Sequence, residues 1–209
     1  TNIVSVVAFL ALLIGSFTKA GAFPFHTWVP DYAKSAPASS SAYLPASLDK
    51  LLGIYFLARI INNMFVLNGF LTFLLLLTGV ITIIIAVMMA LIQHNYKRLL
   101  GFHAVSQVGY MILGLGLGST IGVAAGLFHM INHALYKSGL FLSAGSIEYR
   151  TGKEEIEDLG GLSKAMPITF FASLVFAMSI SGVPPFNGFA SKWMIYQGII
   201  DFGTGTGIA

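Results

Sequence analysis

Long apolar stretches, separated by short polar ones, run through the whole chain. A transmembrane helix needs about 20 consecutive apolar residues, and windows of that length predict about six spanning helices. The predicted spans are residues 2–19, 41–61, 69–93, 99–118, 121–147 and 167–200. The pattern therefore predicts an all-α polytopic membrane protein.

Two of the apolar stretches are interrupted by glycine and proline close to a lysine. The stretch 168–200 is interrupted at Pro184, shortly before Lys192, and the first span ends at Lys19, shortly before Pro24. Proline frees backbone carbonyls, which at membrane depth only packed protein or a polar cavity satisfies. A charged side chain there costs about 2.5–3.5 kcal/mol to insert. Two broken helices, each with a lysine, indicate a transporter. A short half-helix is expected to begin near Trp28.

Composition supports a membrane location and excludes several other classes of protein. The chain is 56% hydrophobic and 9% charged, whereas soluble domains carry about 25% charged residues. We therefore expect the lipid bilayer as a partner. The net charge of +3 is small, so nucleic acid is not expected. The absence of cysteine excludes disulfides and Cys-ligated iron–sulfur clusters within this chain. Because the chain begins at Thr1 without Met, we expect a fragment of a longer polypeptide.

Charged residues collect in alternate loops. They occur in the loops 20–40, 93–98 and 149–166, whereas the loops 62–68 and 118–120 carry none. Lysine and arginine in short loops mark the cytoplasmic side of a membrane protein. We therefore expect a multi-pass protein of the cytoplasmic membrane, with the three charged loops in the cytoplasm.

A stripe of ionisable residues crosses the fifth predicted span. His129, His133 and Lys137 stand at positions i, i+4 and i+8, which share one face of a helix. Such groups face a bundle interior or water, and histidine exchanges protons near neutral pH. The stripe predicts a proton relay, although neighbouring hydroxyls and carbonyls could also hold both histidines as structural groups. The pattern His-x-x-x-His lacks a glutamate and a third ligand, so neither a metal nor another cofactor is expected.

The fourth predicted span carries a second polar face. His103, Gln107 and Tyr110 stand at i, i+4 and i+7, and they could hydrogen-bond the first stripe as supporting groups. Alternatively, they serve only as the polar contacts that hold membrane helices together. Lys97, at the end of the same span, is either a topology anchor or a further member of the relay.

Two adjacent charged residues lie inside the second predicted span. Asp49 and Lys50 do not face each other on a helix, so we expect them to have different partners. Burial favours the neutral form of an amine, which suits Lys50 as a proton carrier. Pro45, about one turn earlier, is expected to loosen the helix. Because one loop joins their spans, Lys19 and Lys50 are expected to influence each other's charge.

Several segments resemble, in order, the motifs of one family. They are residues 18–31 (TKAGAFPFHTWVPD), 97–110, 129–137 and 182–192. They resemble the antiporter-like subunits, which include the ion-pumping subunits of respiratory complex I, the Mrp-type sodium/proton antiporters and the large membrane subunits of energy-converting hydrogenases. Residues 44–55 look most like the hydrogenase branch.

The resemblance implies a particular place for this chain in a larger fold. The family's fold has about fourteen helices and contains two inverted five-helix repeats. Residues 1–61 would supply the last two helices of the first repeat, and residues 69–200 four helices of the second. Residues 201–209 would begin a loop. The glutamate that partners the family's first lysine lies on an earlier helix, outside this chain.

The resemblance also implies roles for individual residues and for the whole chain. The ion-translocating groups would be Lys19, Lys50, His129, His133, Lys137 and Lys192. The function implied is translocation of protons or sodium within a membrane-bound redox complex, with other membrane subunits as partners and no redox chemistry in this chain. The alternatives are a truncated structural subunit that transports nothing and a standalone Mrp-type cation/proton antiporter subunit.

Overall fold

The computed structural model describes residues 3–205, and within them all regular secondary structure is helical. Position 2 of the first predicted span and positions 206–209 of the predicted tail lie outside the described residues. The α-helices, in chain order, are α1 (Ile3–Ala20), α2 (Trp28–Ser35), α3 (Ala38–Tyr43), α4 (Asp49–Arg59), α5 (Gly69–Leu91), α6 (Tyr96–Gly116), α7 (Thr120–Thr151), α8 (Leu162–Ala165), α9 (Pro167–Ser181) and α10 (Asn187–Thr204).

Wider helical turns connect some of these helices. A π-helical turn, Leu44–Leu48, joins α3 to α4, and a second one, Ile60–Met64, extends α4. The first contains Pro45, so the helix is altered where the proline predicted it. Turns of this kind are frequent at functional sites, and Asp49 and Lys50 follow directly.

The predicted spans coincide with helices, with some changes in length. Among the described residues, α1, α5 and α6 are each long and apolar enough to cross a membrane, and α9 is a shorter apolar helix. Two helices extend beyond their predicted ends. Helix α7 continues to Thr151, and α10 continues to Thr204. Residues 201–204 are therefore helical and do not begin a loop.

Both predicted helix breaks are present. The first separates α1 from α2 and begins at Gly21, and the second separates α9 from α10 and begins at Gly182. These two glycines have φ angles of 72° and 79°, in the left-handed region that usually requires glycine at a helix end. The two breaks leave helix ends inside the bundle, where side chains approach their backbone carbonyls.

Helices α6 and α7 lie at the centre of the bundle. Nearly the whole length of α6 is buried, and α7 buries the face that carries its ionisable residues. Helix α5 packs on one side and leaves large apolar side chains such as Phe70, Phe73 and Ile84 exposed, as expected for contact with lipid or another membrane helix. The polar faces of α6 and α7 are therefore enclosed by apolar helices.

The three charged loops meet at one end of the bundle. Lys97 Nζ lies 3.1 Å from Glu148 Oε2 and 3.0 Å from Glu154 Oε1, and Arg98 lies 3.2 Å from Asp31. These ion pairs connect α2, the start of α6, the end of α7 and the loop that follows. The contacts confirm that the charged loops share one end.

Glu154 holds the loop after α7 against the start of α6. Partial burial raises the pKa of its carboxyl, but hydrogen bonds from Asn95 and Lys97 and the charge of Lys97 outweigh this effect and lower the pKa below the ordinary value. The stabilisation is thus present above the usual glutamate pKa of about 4.3 and is lost only in more acidic solution. At neutral pH the loop is fully tethered.

Candidate ion-translocation site

The ionisable stripe of α7 points into the bundle. The side chains of His129, His133 and Lys137 are completely buried, which is the arrangement that their helical spacing predicts. Asn132 and Tyr136, on the same side of the helix, are buried as well. A single helix therefore brings a row of polar groups through the apolar bundle.

His129 is hydrogen-bonded on both sides of its ring. Its Nε2 lies 3.1 Å from Gln107 Oε1 and its Nδ1 lies 2.8 Å from Ser191 Oγ. The Gln107 oxygen also accepts a hydrogen bond from Tyr136 at 3.3 Å. Because an amide oxygen only accepts, the neutral ring must donate through Nε2 and accept from the Ser191 hydroxyl at Nδ1. His129 of α7 thus contacts the polar face of the fourth predicted span through Gln107.

Ser191 suits both charge states of His129. Its hydroxyl lies within hydrogen-bond distance of the histidine and also of the Gly188 carbonyl, at 3.3 Å. When the ring is neutral, the hydroxyl donates to Nδ1. When the ring is protonated, Nδ1–H donates to Ser191 and the hydroxyl hydrogen turns to Gly188. A rotation of one hydroxyl accommodates the added proton without leaving a donor unpaired.

His133 and Lys137 have different surroundings. Within residues 3–205, neither ring nitrogen of His133 nor the amine of Lys137 has a hydrogen-bond partner. The Tyr136 ring meets His133 edge-on, with the centroids 5.5 Å apart, and Lys137 Nζ lies 5.7 Å from the centre of the Phe141 ring. Buried polar groups normally have partners, so these two groups differ from the rest of the polar row in having unused hydrogen-bonding capacity.

Lys192 lies at the second helix break. It is 8% exposed, and its amine donates to the carbonyl of Ile180 at 2.7 Å. The amine also lies 4.9 Å above the Tyr110 ring. Carbonyls at the C-terminal end of a helix such as α9 carry partial negative charge, and aromatic faces attract cations. The predicted burial of Lys192 beside a break is confirmed.

A ladder of contacts fixes the register between α7 and α10. Ser191 contacts His129, and four residues earlier the Asn187 carbonyl accepts from Asn132 at 3.0 Å. Asn187 also donates to Asn132 at 3.1 Å and accepts from Ser179, near the end of α9. The two helices therefore run antiparallel, and the asparagine pair holds the break against α7.

Lys50 occupies a similar place at the first helix break. It is completely buried, its amine donates to the carbonyl of Ala20 at 2.6 Å, and it lies 5.5 Å above the Trp28 ring. A Cβ on Gly21 would lie 3.0 Å from this amine and would overlap the Val29 side chain. The absence of a side chain at position 21 lets the amine reach the end of α1.

Lys19 pairs with the acid beside Lys50. Its amine lies 2.5 Å from Asp49 Oδ1, and its side chain remains 50% exposed on the outside of the described bundle. Asp49 and Lys50 thus have different partners, as their adjacent positions predicted. The sequence did not identify the partner of Asp49, because that contact joins two separate helices.

The structure brings most of the predicted residues into one row. His129 contacts Gln107 and meets the Tyr110 ring edge-on, with the centroids 5.9 Å apart, and the Lys192 amine lies over the same Tyr110 ring. His103, on α6, is half-buried. Lys97 is separate, since it pairs with acids at the charged end of the bundle.

Sequence reasoning missed Ser191, Asn132 and Asn187 as members of the site. Ser191 directly precedes Lys192, and Asn132 lies between His129 and His133. Their position beside predicted residues was the signal that could have identified them. Among residues 3–205, no group of three or more His, Cys, Asp or Glu side chains could hold a metal ion.

A helical bundle with apolar outer faces and a buried row of lysines and histidines defines an integral membrane protein with polar groups in its interior. The chain belongs to the family described as NADH:quinone oxidoreductase/Mrp antiporter, TM, whose model matches residues 1–209. The predicted resemblance to the antiporter-like subunits is confirmed.

Two relatives have the same level of identity to this chain. Formate hydrogenlyase subunit 3 of Escherichia coli (strain K12) is 40% identical over 198 residues, which are 88% of this chain and 32% of the relative. One subunit of the Na(+)/H(+) antiporter of Alkalihalophilus pseudofirmus is 40% identical over 209 residues, or 92% of this chain and 26% of the relative. The chain thus spans about a quarter to a third of their lengths.

Two solved structures share the fold. The Mrp complex from Dietzia sp. DQ12-45-1b contains a protein chain with a TM-score of 0.91 and 32% identity, and the match covers 95% of this chain and 37% of that one. The membrane-bound sulfane sulfur reductase, an archaeal respiratory membrane complex, contains a protein chain with a TM-score of 0.85 and 34% identity, with 93% and 41% covered. Both similar chains are parts of larger complexes.

Proposed function

We propose that this chain belongs to an antiporter-like subunit that moves protons or sodium across a membrane. The observation that carries the proposal is the buried row of ionisable groups formed by Lys50, Lys137, His133, His129 and Lys192. Uncompensated ionisable groups are costly at membrane depth and mark ion pathways. Apolar packing alone gives no reason for such a row.

Some groups in the row have hydrogen-bond partners in the protein, and others have none among the described residues. Lys50 and Lys192 each donate to a carbonyl at a helix end, and His129 has Ser191 and Gln107. Between them, His133 and Lys137 have no hydrogen-bond partner among residues 3–205. A charge on one group disfavours a charge on the next, so a proton that enters at one end favours release from its neighbour.

The subunit would act inside a membrane-bound redox complex of hydrogenase or respiratory type. The identity with formate hydrogenlyase subunit 3 and the shared fold with the sulfane sulfur reductase support this proposal. Other membrane subunits would then be its partners, and the electron transfer would take place in them. The equal identity to an Mrp antiporter subunit supports a second candidate, a cation/proton antiporter that needs no electron donor.

The proposal includes a place in the larger fold. Residues 1–61 would be the last two helices of a first repeat, and residues 69–200 would be four helices of a second. Two broken helices, one in each part, support this division. The charged end of the bundle would face the cytoplasm, in a cytoplasmic membrane, because lysine and arginine collect there.

The relay is tested by replacing both histidines of α7 with leucine in the full-length subunit within its complex. In membrane vesicles, the His129→Leu/His133→Leu variant should lose ion transport while the complex still assembles, because leucine fills the space but carries no proton. Transport is measured as the pH gradient formed, once with the electron donor and once with an imposed ion gradient.

His94→Leu is the matched control, since His94 is an exposed histidine that pairs with Glu157 outside the row. It should transport normally. Normal transport by the double variant would show that the α7 histidines serve only packing. Transport driven by an ion gradient, without an electron donor, would favour the antiporter over the redox complex.

A further inference from the structure

A pocket lies at the charged end of the bundle, outside the polar row. It has a volume of about 840 Å³, within the range of about 300–1,000 Å³ that is typical of ligand sites. The start of α3, the end of α7 and the residue that precedes α9 line it, with Ala38, Leu142 and Met166 in its wall. A Cβ on Gly145 would lie 2.5 Å from the Ala38 side chain. The glycine therefore lets α3 and α7 meet and form the inner wall.

The wall of the pocket continues along α7 as a stripe of large apolar side chains. Phe128, Leu135, Leu142 and Tyr149 are all exposed, and their seven-residue spacing puts them on one side of the helix. Membrane helices that pack closely meet through small residues, so this stripe favours contact with lipid chains. Leu142 lies about 12 Å along the helix from Arg150. The stripe thus leads from the charged end towards membrane depth.

The charged groups at the rim of the pocket do not neutralise one another in pairs. Glu148 and Glu154 both line the pocket, and they share a single amine, that of Lys97, at 3.1 and 3.0 Å. One unit of negative charge therefore remains uncompensated at neutral pH. Arg150 lines the same pocket, and within residues 3–205 it forms no ion pair.

The rim thus presents one free cation and one surplus carboxylate to the same ligand. A phospholipid headgroup with a primary amine carries the complementary charges, a phosphate and an ammonium group a few bonds apart. The planar fork of arginine fits phosphate oxygens, and carboxylates accept hydrogen bonds from the N–H groups of an ammonium. A choline headgroup has no N–H to donate, and a glycerol headgroup has no positive charge.

We propose that this pocket binds a zwitterionic phospholipid whose headgroup has a primary amine, as in phosphatidylethanolamine. Arg150 binds the phosphate, and the carboxylate of Glu148 accepts from the ammonium group. An acyl chain lies along the apolar stripe at Leu142 and Leu135. The site is separate from the polar row, and its occupation does not depend on which ion the row moves.

The test uses the full-length subunit in its complex, in phosphatidylcholine vesicles that contain a small share of one photoreactive lipid. The reactive group is on the acyl chain, and the headgroup is ethanolamine, choline or glycerol in three parallel samples. Adducts on residues 128–149 are counted by mass spectrometry of peptides, at equal amounts of assembled complex. The ethanolamine lipid should give about fivefold more adducts than either other lipid, because an exposed ion pair contributes up to about 1 kcal/mol.

Two substitutions separate the two headgroup contacts. Arg150→Gln removes the partner of the phosphate and should lower labelling by the ethanolamine lipid about fivefold, whereas Arg150→Lys keeps the charge and should retain most of the labelling. Glu148→Gln removes the surplus carboxylate and leaves Glu154 to pair with Lys97. In this variant the ethanolamine lipid should lose its advantage over the glycerol lipid.

Glu157→Gln is the matched control for the loss of an acid. This exposed residue pairs with His94 and is not among the residues that line the pocket, so the substitution should leave all three labelling levels unchanged. Equal labelling by the three lipids in the unsubstituted protein would overturn the proposal, even if a variant does not assemble. Unchanged labelling of assembled Arg150→Gln would overturn it as well.

The occupant of the pocket is also identified from the protein side. With p-benzoylphenylalanine in place of Leu142, irradiation of cell membranes should give adducts with phosphatidylethanolamine. Adducts with another subunit, or with a part of the same polypeptide outside residues 3–205, would show that protein fills the pocket. That result would overturn the proposal.

Discussion

At the scale of the residue, Ser191 is the group that lets His129 change its charge. The hydroxyl has two acceptors within reach, the histidine ring at 2.8 Å and the Gly188 carbonyl at 3.3 Å. A buried histidine without such a partner would leave a donor unsatisfied after protonation, at a cost of about 1–3 kcal/mol. Ser191 is therefore expected to influence the rate of transport.

Ser191→Ala should slow transport by roughly tenfold or more, the effect of losing a hydrogen bond to a charged group worth about 1.5 kcal/mol. Ser191→Thr keeps the hydroxyl and should retain most of the rate. The measurement is the initial rate of proton transport in vesicles at equal amounts of assembled complex. Ser146→Ala serves as the control, because the exposed Ser146 hydroxyl donates to the Leu142 carbonyl within α7. An alanine variant as fast as the original protein would assign Ser191 to packing.

The sequence predicted the ionisable residues of the row but not their partners. The stripe of His129, His133 and Lys137 follows from helical spacing alone, and Lys192 follows from its position after a proline. The contact of His129 with Ser191 joins residues 62 positions apart, and its existence depends on the register of two helices. Such a register is a product of packing and has no local signal.

At the scale of the element, the second helix break depends on a very close approach between its two halves. A Cβ on Gly188, at the start of α10, would overlap the carbonyl oxygen of Ser179. This approach brings Asn187 to Ser179 and to Asn132 of α7. The glycine therefore holds the break in the position that puts Lys192 against the end of α9.

Gly188→Ala should destabilise the break and lower transport, because the added methyl group has no room and overpacking costs about 1–3 kcal/mol or more. The thermal stability of the purified complex and its transport rate are the measurements. Gly203→Ala, on the same helix, has nothing within 4 Å of the added Cβ and should be neutral or slightly stabilising, since alanine favours helix. Equal stability of the two variants would contradict the observed packing.

The breaks themselves could be predicted, whereas the packing across them could not. Glycine and proline within apolar stretches indicate a change in backbone direction. The apolar pattern predicts that α7 and α10 end about four residues before they do, because polar residues continue both helices beyond the apolar core. Hydropathy marks the apolar part of a span and does not mark where the helix ends.

At the scale of the whole molecule, charge is distributed unequally between the two ends of the bundle. Ion pairs from Lys97 and Arg98 join three segments at one end. At the other end, the loops 62–68 and 118–120 contain no charged residue. The sequence predicted this grouping, since alternate loops of a multi-pass protein must lie on the same side. The structure adds the ion pairs that tie those loops together.

The asymmetry predicts the orientation of the protein in its membrane, because positively charged loops stay in the cytoplasm. The absence of cysteine from the chain allows a single one to be introduced at either end as a reporter. In intact cells, Lys153→Cys should resist a membrane-impermeant maleimide, whereas Asn63→Cys, exposed at the uncharged end, should react. Lys153→Cys should react after the cells are opened, which controls for burial by other subunits. Labelling of Lys153→Cys from outside, together with protection of Asn63→Cys, would invert the orientation.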